Sequence, residues 1–250
     1  MKKDLLLFDI DGTLTEPMKT ISMDMICALQ LIKDTQRYDL GVVGGSDRKK
    51  AEYQLGSVVL DELMDITFHE NGTVVYQKGK HVSSTSLEDI FSREQINHLL
   101  TYLLGLLFQA DNIPKRTGTF IERRSCVLNV SPVGRNATKE ERLEFYLWDQ
   151  QSKCRETMKK QILTDWNEKG VDAVIGGEIS IDVFPKGMDK RSCLRHIDPD
   201  QYQNIYFFGD RMEPGGNDHA LATHEAVQAR PTTGPQDTIQ QLLSMLTLKS

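Results

Sequence analysis

Two carboxylates one residue apart, Asp9 and Asp11, come directly after an apolar segment near the start of the chain. One carboxylate of such a pair can attack phosphorus and bind a cation, while the other gives and takes protons. Gly12 allows the sharp turn that brings backbone N–H groups toward a phosphate. An Asp-x-Asp pair is also common in surface turns, but its position after a buried strand and before Gly12 and Thr13 favours phosphoryl chemistry.

A second candidate segment, Gly44-Gly45-Ser46-Asp47, ends an apolar strand and opens a predicted helix. A hydroxyl and unpaired N–H groups at a helix N-terminus form a phosphate site through geometry and the helix dipole. The alternative is a plain helix cap by Ser46 or Asp47. Lys190 also begins a predicted helix, where a lysine is ordinarily a solvated surface residue. It is a candidate because a phosphoaspartate needs a cation to neutralise growing charge.

A third segment combines the strand end Phe208-Gly209-Asp210 with the turn Gly215-Gly216-Asn217-Asp218. Carboxylates on a flexible, glycine-containing loop suit a hard cation held by oxygen atoms and water, as Mg²⁺ prefers. The alternative is a glycine-rich loop in which Asn217 or Asp218 caps a helix.

Short apolar strands alternate with amphipathic helices at both ends of the chain. This alternation is typical of α/β proteins with a doubly wound, Rossmann-like parallel sheet, whose ligands bind beyond the carboxyl ends of the strands. The predicted elements are strands Leu5–Asp9, Leu40–Val43 and Asn204–Phe208, and helices after Ser22, at Asp47–Leu55, near Asp189–His196 and around Thr238–Leu246.

The middle of the chain has a different pattern, which indicates an inserted α+β cap domain with an antiparallel sheet. We therefore predict a core of residues 1–82 and 187–250 and a cap of residues 83–186, with hinges at Ser83–Ser86 and Pro185–Gly187. The predicted elements are a hairpin at 73–77 and 81–83, a helix ending near Phe108, strands Gly118–Arg124, Val127–Val130, Val171–Ile175 and Ile179–Phe184, and one long helical stretch from about Thr138 to Glu168.

The composition is that of an ordinary globular protein, with 250 residues, 39% of them hydrophobic, and a formal charge of −6. The chain has no excess of basic residues, so its charge does not indicate a nucleic-acid partner. The longest apolar stretch, Leu99–Phe108, is far below the ~20 residues that span a bilayer, so no membrane partner is predicted. The four scattered cysteines are predicted to be reduced and to serve in packing; they are Cys27, Cys126, Cys154 and Cys193. The protein is predicted to be cytoplasmic.

Taken together and in this order, these motifs resemble the haloacid dehalogenase superfamily of phosphotransferases. More narrowly, the chain resembles the eukaryotic phosphomannomutase family over almost its entire length. The core motifs alone identify only the superfamily, whereas segments of the cap make the resemblance specific. The segments that carry it are Phe8–Thr15, Gly41–Asp47, Gly118–Glu122, Leu128–Pro132, Glu140–Arg142, Ile175–Pro185, Tyr206–Asp210 and Gly215–His219.

The resemblance implies a role for each candidate residue. Asp9 would be phosphorylated and Asp11 would be the acid/base, while Ser46 and Lys190 would contact the transferring phosphoryl group. Mg²⁺ would be held by the Asp9 side chain, the Asp11 backbone carbonyl and Asp210, with Asp218 nearby. The cap positions that match the family's substrate contacts are Arg124, Arg135, Arg142, Ser180 and Asp182.

The local pattern of the cap agrees with these implied contacts. Ser180 and Asp182 alternate with apolar residues on one strand, so they would offer a hydroxyl and a carboxylate on one face. Arginine's planar fork suits a phosphate, although any single arginine is more often a solvated surface residue. Two positions depart from the family: Met18, followed by Lys19, replaces a usual arginine, and Arg123 stands where an aromatic residue is usual.

The implied reaction interconverts mannose 6-phosphate and mannose 1-phosphate, with a hexose 1,6-bisphosphate as activator that phosphorylates Asp9. It would supply mannose 1-phosphate for GDP-mannose synthesis, and similar proteins form homodimers through the cap. One alternative is a phosphosugar phosphatase, in which water replaces the acceptor on the same core. A second is a catalytically silent phosphosugar-binding or assembly protein, which the presence of Asp9, Asp11, Lys190 and Asp210 disfavours.

Overall fold

The computed structural model describes residues 2–247 of the chain. Within this range the strands, numbered along the chain, are β1 (Lys3–Phe8), β2 (Tyr38–Val43), β3 (Ile66–His69), β4 (Val74–Gln77), β5 (Lys80–Ser84), β6 (Ile121–Arg123), β7 (Leu128–Val130), β8 (Val171–Gly176), β9 (Ser180–Pro185), β10 (Tyr202–Gly209) and β11 (Gln228–Pro231).

The α-helices are numbered in the same way. They are α1 (Met23–Asp34), α2 (Arg48–Leu55), α3 (Arg93–Gln109), α4 (Lys139–Ser152), α5 (Cys154–Trp166), α6 (His219–Ala222) and α7 (Pro235–Thr247). A π-helical turn spans Val59–Leu63, and the longest of the 3₁₀-helices spans Lys190–His196. No helix between residues 2 and 247 is long and apolar enough to cross a membrane.

The chain forms two compact units. The core runs up to Ser84 and resumes at Asp189, whereas the cap is the continuous segment Thr85–Met188. Each boundary in the structure lies two residues after the position predicted from sequence, at 84/85 and 188/189 in place of 82/83 and 186/187.

A seven-stranded sheet, in the order β11-β10-β1-β2-β3-β4-β5, forms the centre of the core. The five strands from β11 to β3 are parallel, while β4 and β5 add an antiparallel hairpin at one edge. Apolar clusters cover both faces of this sheet, which confirms the predicted doubly wound α/β core. Since buried parallel strands present apolar residues on both faces, β1 reads as the continuous run Leu5–Phe8.

The two faces of β1 pack against different helices. Leu6 and Phe8 belong to the cluster that includes residues of α1 and α7, while Leu5 and Leu7 belong to the opposite cluster. That opposite cluster contains Cys193 from the 3₁₀-helix Lys190–His196. The same short helix is tied to the turn after β3, where the Ser192 hydroxyl donates to the backbone oxygen of Asn71. This packing brings residue 190 against the central strands.

The cap contains a four-stranded antiparallel sheet in the order β6-β7-β9-β8. One face of the sheet packs against apolar residues of α3 and α5, such as Leu103 and Ile162, which form a separate hydrophobic core. The opposite face carries the polar side chains of Asn129 and Asp182, which are paired across β7 and β9. The cap is therefore an α+β unit with a core of its own.

Three predicted elements differ from the structure in extent or type. The long helix predicted from Thr138 to Glu168 is wrong, because Lys153 adopts a left-handed conformation, with φ of 55°, between α4 and α5. Positive φ values at Gly118 and Thr119 also prevent β6 from starting before Ile121. The predicted helix near Asp189–His196 forms as a 3₁₀-helix, with Asp189 as its N-cap.

A buried ion pair explains the break between α4 and α5. The Asp149 carboxylate accepts from the backbone N–H of Arg155 at 2.9 Å and from its Nε at 2.8 Å. The guanidinium also donates to the backbone oxygen of Gly177 at 2.9 Å. Asp149 therefore satisfies a free N–H in the first turn of α5, and Arg155 joins this pair to the loop between β8 and β9.

We expect Asp149→Ala to destabilise the cap by about 3–5 kcal/mol, because it leaves the Arg155 guanidinium buried without its partner. The matched control is Glu156→Ala, which removes an exposed pair with Lys159 on α5 and should cost less than about 1 kcal/mol. Hydrogen exchange of peptides from α4 and α5 measures the difference. Equal protection in the two variants would contradict the role given to the buried pair.

Candidate active site

The candidate residues of the core lie at the carboxyl ends of three neighbouring strands. β10, β1 and β2 are adjacent and parallel, so Asp210, Asp9 and the Ser46 loop follow them at the same edge of the sheet. The backbone N–H of Asp9 still donates to the backbone oxygen of Phe208 on β10 at 2.9 Å. The first carboxylate is therefore fixed by the sheet itself.

The chain turns sharply directly after Asp9. The backbone oxygen of Ile10 accepts from the N–H groups of Leu14 and Thr15, both at 3.0 Å. Gly12 has a φ of +82°, and a Cβ atom there would lie 2.2 Å from Oδ2 of Asp210. Only glycine fits this position, because the Asp210 carboxylate lies directly against the turn.

Three carboxylates and one ammonium group form the centre of the site. Oxygen atoms of Asp9, Asp210 and Asp218 lie within 4.8 Å of one another. The Lys190 ammonium lies 2.5 Å from Oδ1 of Asp218 and also donates to Oδ1 of Asp9. The side chains of Lys190 and Asp218 are completely buried, and that of Asp9 is 7% exposed.

Burial and mutual repulsion shift the pKa values of this cluster. Burial raises the pKa of Asp9 to about 7, with Asp218 and Asp210 adding to the rise and Lys190 opposing it. The pKa of Asp210 is also raised, by burial and by Asp218. Burial acts to lower the pKa of Lys190, but the two carboxylates that it contacts outweigh burial and raise it.

The donor set of this cluster fits a hard divalent cation. Three carboxylates face a single ammonium group, so the buried charge is not balanced by the protein alone. Oδ1 of Asp210 is buried and has no hydrogen-bond partner among the described residues. A bound cation would give this oxygen a partner and would favour the ionised form of Asp9.

Asp218 does not cap α6 through its side chain, although it precedes that helix. Its Oδ2 accepts from the backbone N–H of Arg211 at 3.2 Å, and its Oδ1 accepts from Lys190. The alternative that Asp218 caps the helix is therefore wrong. The carboxylate is instead shared between the loop after β10 and the ammonium group.

The side chain of Asp11 is bound separately from this cluster. Its Oδ2 accepts from the Lys50 ammonium at 2.8 Å, and its Oδ1 accepts from Gln54 at 2.7 Å and from the backbone N–H of Met18 at 3.0 Å. Partial burial acts to raise the pKa of Asp11, but Lys50 and these hydrogen bonds lower it below its ordinary value.

Met18, the residue aligned with the family's usual arginine, and the following Lys19 have separate contacts. Met18 has a φ of 63° and a largely exposed side chain, and it reaches Asp11 only through its backbone N–H. The Lys19 ammonium pairs with Glu16, and both side chains are exposed. Lys19 therefore has a local partner in this structure.

The Ser46 loop is held by backbone hydrogen bonds to the end of β3 and the turn that follows. The N–H of Gly44 donates to the backbone oxygen of Phe68 at 3.0 Å, and the N–H of Glu70 donates to that of Ser46 at 2.9 Å. Asp47 caps α2 by accepting from the N–H of Lys50 at 2.9 Å. Since Asp47 is the cap, the Ser46 hydroxyl is not needed for that purpose.

In the cap unit, one carboxylate joins two of the candidate arginines. Oε1 of Glu122 lies 3.0 Å from Nε of Arg124, and Oε2 lies 2.8 Å from Nε of Arg135. Arg142 donates from Nη2 to the backbone oxygen of Arg135 at 2.7 Å and from Nε to that of Ala137 at 2.9 Å. The three arginines therefore form one connected basic group.

The candidate polar residues of β9 belong to a neighbouring network. Nδ2 of Asn129 donates to the Ser180 hydroxyl at 2.9 Å and to the Asp182 carboxylate at 2.6 Å. Burial raises the pKa of Asp182, while Asn129 and the positive charges of Arg124 and Arg135 oppose the rise. The structure thus brings all five predicted substrate-binding residues of the cap into adjoining networks.

Sequence reasoning did not select Lys50, Gln54, Glu122 or Asn129 as site residues. Asn129 could have been noticed, because it is a polar residue between Leu128 and Val130 on a buried strand. Lys50 and Gln54 are four residues apart on one helix and read as ordinary surface positions. Their contact with Asp11 depends on the packing of α2 beside the turn after β1, which no local pattern indicates.

Removing the Lys190 ammonium should destabilise the core by about 3–5 kcal/mol, since Asp9 and Asp218 would then be buried without a counter-charge. The measurement is urea unfolding of Lys190→Met in EDTA, so that no divalent cation compensates. Adding Asp218→Asn to Lys190→Met should recover part of the loss, because it removes one of the repelling carboxylates. Lys3→Met, which removes a partly exposed pair with Asp39, is the control and should cost less than about 1 kcal/mol. No recovery in the double variant would contradict this account.

Solved structures with a similar fold include phosphatases and a nucleotidase. An IMP-nucleotidase of Plasmodium falciparum has a TM-score of 0.64 at 15% identity, with 99% of this chain and 69% of that chain covered. A sucrose-phosphatase of Synechocystis has a TM-score of 0.55 at 15% identity, with 100% and 89% covered. At such low identity these structures show only that the fold is shared.

Comparison of sequences gives a closer relationship. A family model described as eukaryotic phosphomannomutase matches residues 27–248. The phosphomannomutase of Saccharomyces cerevisiae is 40% identical over 244 residues, which cover 98% of this chain and 94% of the yeast protein. Phosphomannomutase 1 of Homo sapiens is also 40% identical, over 95% of this chain and 90% of the human protein. The chain belongs to the eukaryotic phosphomannomutase family.

Proposed function

We propose that this chain is a phosphomannomutase, which interconverts mannose 6-phosphate and mannose 1-phosphate through a phosphorylated Asp9. The observation that carries this proposal is the cluster of Asp9, Asp210, Asp218 and Lys190 in a chain that matches the family over nearly its whole length. A hexose 1,6-bisphosphate is the activator, and the mannose 1-phosphate formed would supply GDP-mannose synthesis.

Asp9 is the proposed nucleophile. Its carboxylate attacks phosphorus, so a bond from Asp9 to phosphorus forms while the bond from phosphorus to the sugar oxygen breaks. Lys190 and the Ser46 loop stabilise the negative charge on the transferring group. Mg²⁺, held by Asp9, Asp210, Asp218 and the Asp11 backbone carbonyl, would clamp and neutralise the same group.

Asp11 is the proposed general acid and base. It gives a proton to the sugar oxygen that leaves phosphorus when Asp9 is phosphorylated. When the phosphoryl group returns to a sugar, Asp11 takes the proton of the attacking hydroxyl. The lowered pKa of Asp11 in the unliganded protein favours the form that accepts a proton, as the second half-reaction requires.

We assign the phosphate that does not react to the arginine group of the cap. Arg124 and Arg135 each contact Glu122 through Nε, and the planar fork of a guanidinium suits a phosphate. A mutase needs such a group because its bisphosphate must bind in two orientations, with either phosphate reacting. A hydrolase acting on a monophosphate has no second phosphate to hold, and the curated relatives favour the mutase over the phosphatase alternative.

Two further parts of the proposal have a different basis. The cytoplasmic location is inferred from the scattered cysteines, and the homodimer through the cap is implied by the family resemblance. Both remain predictions.

The following experiment tests the proposed reaction. Mannose 1-phosphate is incubated with the protein, Mg²⁺ and a trace of hexose 1,6-bisphosphate, and ³¹P resonances are followed with time. The signal should move to mannose 6-phosphate, with inorganic phosphate as a minor product. Without bisphosphate we expect a lag, because Asp9 must be phosphorylated before the cycle begins. EDTA should stop turnover.

Asp9→Asn is the control for this reaction, since an amide cannot attack phosphorus, and it should give no turnover. Asp39→Asn, at a carboxylate distant in sequence and paired with Lys3, should retain activity. If inorganic phosphate dominates from the first turnovers of the unaltered protein, the chain is a phosphatase and the mutase proposal is wrong.

The arginine group should matter only for substrates that carry a phosphate that does not react, as mannose 1-phosphate does while its 6-hydroxyl accepts the phosphoryl group from Asp9. We expect Arg135→Ala to raise the barrier for mannose 1-phosphate by about 1.5–3 kcal/mol, the usual contribution of a hydrogen bond to a charged group. Phosphorylation of Asp9 by acetyl phosphate should be almost unchanged, because this donor has no distal phosphate. Arg123→Ala, which removes an exposed ion pair with Glu88, is the matched control and should change neither rate. Equal losses with mannose 1-phosphate and with acetyl phosphate would contradict the role assigned to Arg135.

A further inference from the structure

We propose that Lys50 and Gln54 are positioning residues for Asp11, and that together they orient its carboxylate for proton transfer. This inference rests on the proposed function, because it assigns Asp11 the role of general acid and base. It adds two residues of α2 to the machinery of that reaction.

The geometry of α2 supports this assignment. Lys50 and Gln54 are four residues apart, so they lie on the same face of the helix. Lys50 contacts Oδ2 of Asp11 at 2.8 Å, and Gln54 contacts Oδ1 at 2.7 Å, so each carboxylate oxygen has its own donor from this helix. With the backbone N–H of Met18 as a third donor, the plane of the carboxylate is fixed.

Gln54 is unusually buried for a glutamine, with 2% of its surface exposed. Its amide nitrogen also lies 3.3 Å from the Thr15 hydroxyl, and its backbone oxygen accepts from Ile21 at 2.8 Å. A buried amide is tolerated only where it has partners, and here its strongest partner is the Asp11 carboxylate. The helix is therefore joined at this residue to the turn that carries Asp11.

The first turn of α2 breaks a local rule of helix stability. Its first three residues, Arg48, Lys49 and Lys50, are all cationic, and it has no acidic residue there. The helix dipole disfavours positive charge at an N-terminus, so this arrangement opposes helix formation. Such conflicts between local preference and structure are concentrated at functional sites. Of these cations, Arg48 pairs with Glu52 and Asp61, whereas Lys50 pairs with the Asp11 carboxylate.

The exposure of the ion pair argues against a purely stabilising role. The side chains of Lys50 and Asp11 are 33% and 37% exposed, so water screens their attraction. Pairs this exposed contribute little to folding stability. Replacing Lys50 should therefore impair proton transfer by Asp11 while leaving the fold almost unchanged, and these two effects can be measured separately.

The leaving group reveals whether Asp11 is correctly oriented. An oxygen that leaves phosphorus as a strong base needs a proton from Asp11, whereas a weakly basic leaving group does not. Phenyl phosphate and 2,4-dinitrophenyl phosphate provide this contrast without a sugar or a second phosphate. Phosphorylation of Asp9 by each donor is measured for the unaltered protein and for Lys50→Met, together with turnover of mannose 1-phosphate.

We expect Lys50→Met to slow mannose 1-phosphate turnover and phosphorylation by phenyl phosphate by about 10- to 100-fold, part of the usual contribution of an acid–base group. Phosphorylation by 2,4-dinitrophenyl phosphate should change by less than about 3-fold. Lys50→Arg should restore most of the loss, because it retains the charge. The control is Lys49→Met, at an exposed neighbour in the same turn, which should change neither rate.

A double variant tests whether Lys50 acts through Asp11. If it does, adding Lys50→Met to Asp11→Asn should produce no further loss, so the two effects will not be additive. Gln54→Met, which retains the volume but removes the donor, should show the same leaving-group dependence as Lys50→Met. Thermal melts of all variants identify any that fail to fold.

Two results would overturn the inference. One is an equal loss with both aryl donors in a variant that remains folded, which would mean that Lys50 acts on the phosphoryl group itself. The other is an additive loss in the double variant. Failure of the proposed function has a different signature, because the unaltered protein would then not interconvert the mannose phosphates. The aryl phosphates would still report on Lys50 in that case.

Discussion

The structure around the carboxyl ends of the central strands depends on one buried ammonium group, which partly neutralises a cluster of carboxylates. Lys190 contacts Asp9 and Asp218 with no access to solvent, and Asp210 lies within the same cluster. Burying a charge is costly in free energy unless its partners lie at hydrogen-bonding distance. The positions of the partners are therefore severely restricted, and much of the local structure follows from that restriction.

The restriction explains features that are far apart in the sequence. Glycine is required at position 12 because the Asp210 carboxylate occupies the space of a Cβ atom, and Gly209 is similarly close to Asp218. The 3₁₀-helix that begins at Lys190 is held against the turn after β3 by Ser192. With three carboxylates around one lysine, the cluster is suited to a divalent cation and to the phosphoryl group that such a cation would accompany.

Much of the core could be predicted from sequence, because its signals are local. A continuous apolar run followed by Asp9 indicates a buried parallel strand with a ligand site at its end, and the structure contains that strand. Other features depend on long-range contacts that periodicity does not encode. The break at Lys153 requires the ion pair of Asp149 and Arg155, and the contact of Lys50 with Asp11 requires α2 to pack beside the first turn. The cap arginines could be assigned to substrate binding only through the family resemblance, because an isolated arginine has no sequence pattern that distinguishes a binding residue from a surface residue.

The strand order also has a consequence for synthesis on the ribosome. β1 is the middle one of the five parallel strands, yet β10, one of its two partners, is made only after the whole cap segment. At 5–20 residues per second, roughly 10–40 s separate the two strands, and during this time one edge of β1 is unpaired. The cap segment is complete before β10 emerges and has a hydrophobic core of its own. Because Lys190, Asp210 and Asp218 also follow the cap in the sequence, their cluster with Asp9 can form only after the cap has been translated, and a chain that stops within the cap would lack it.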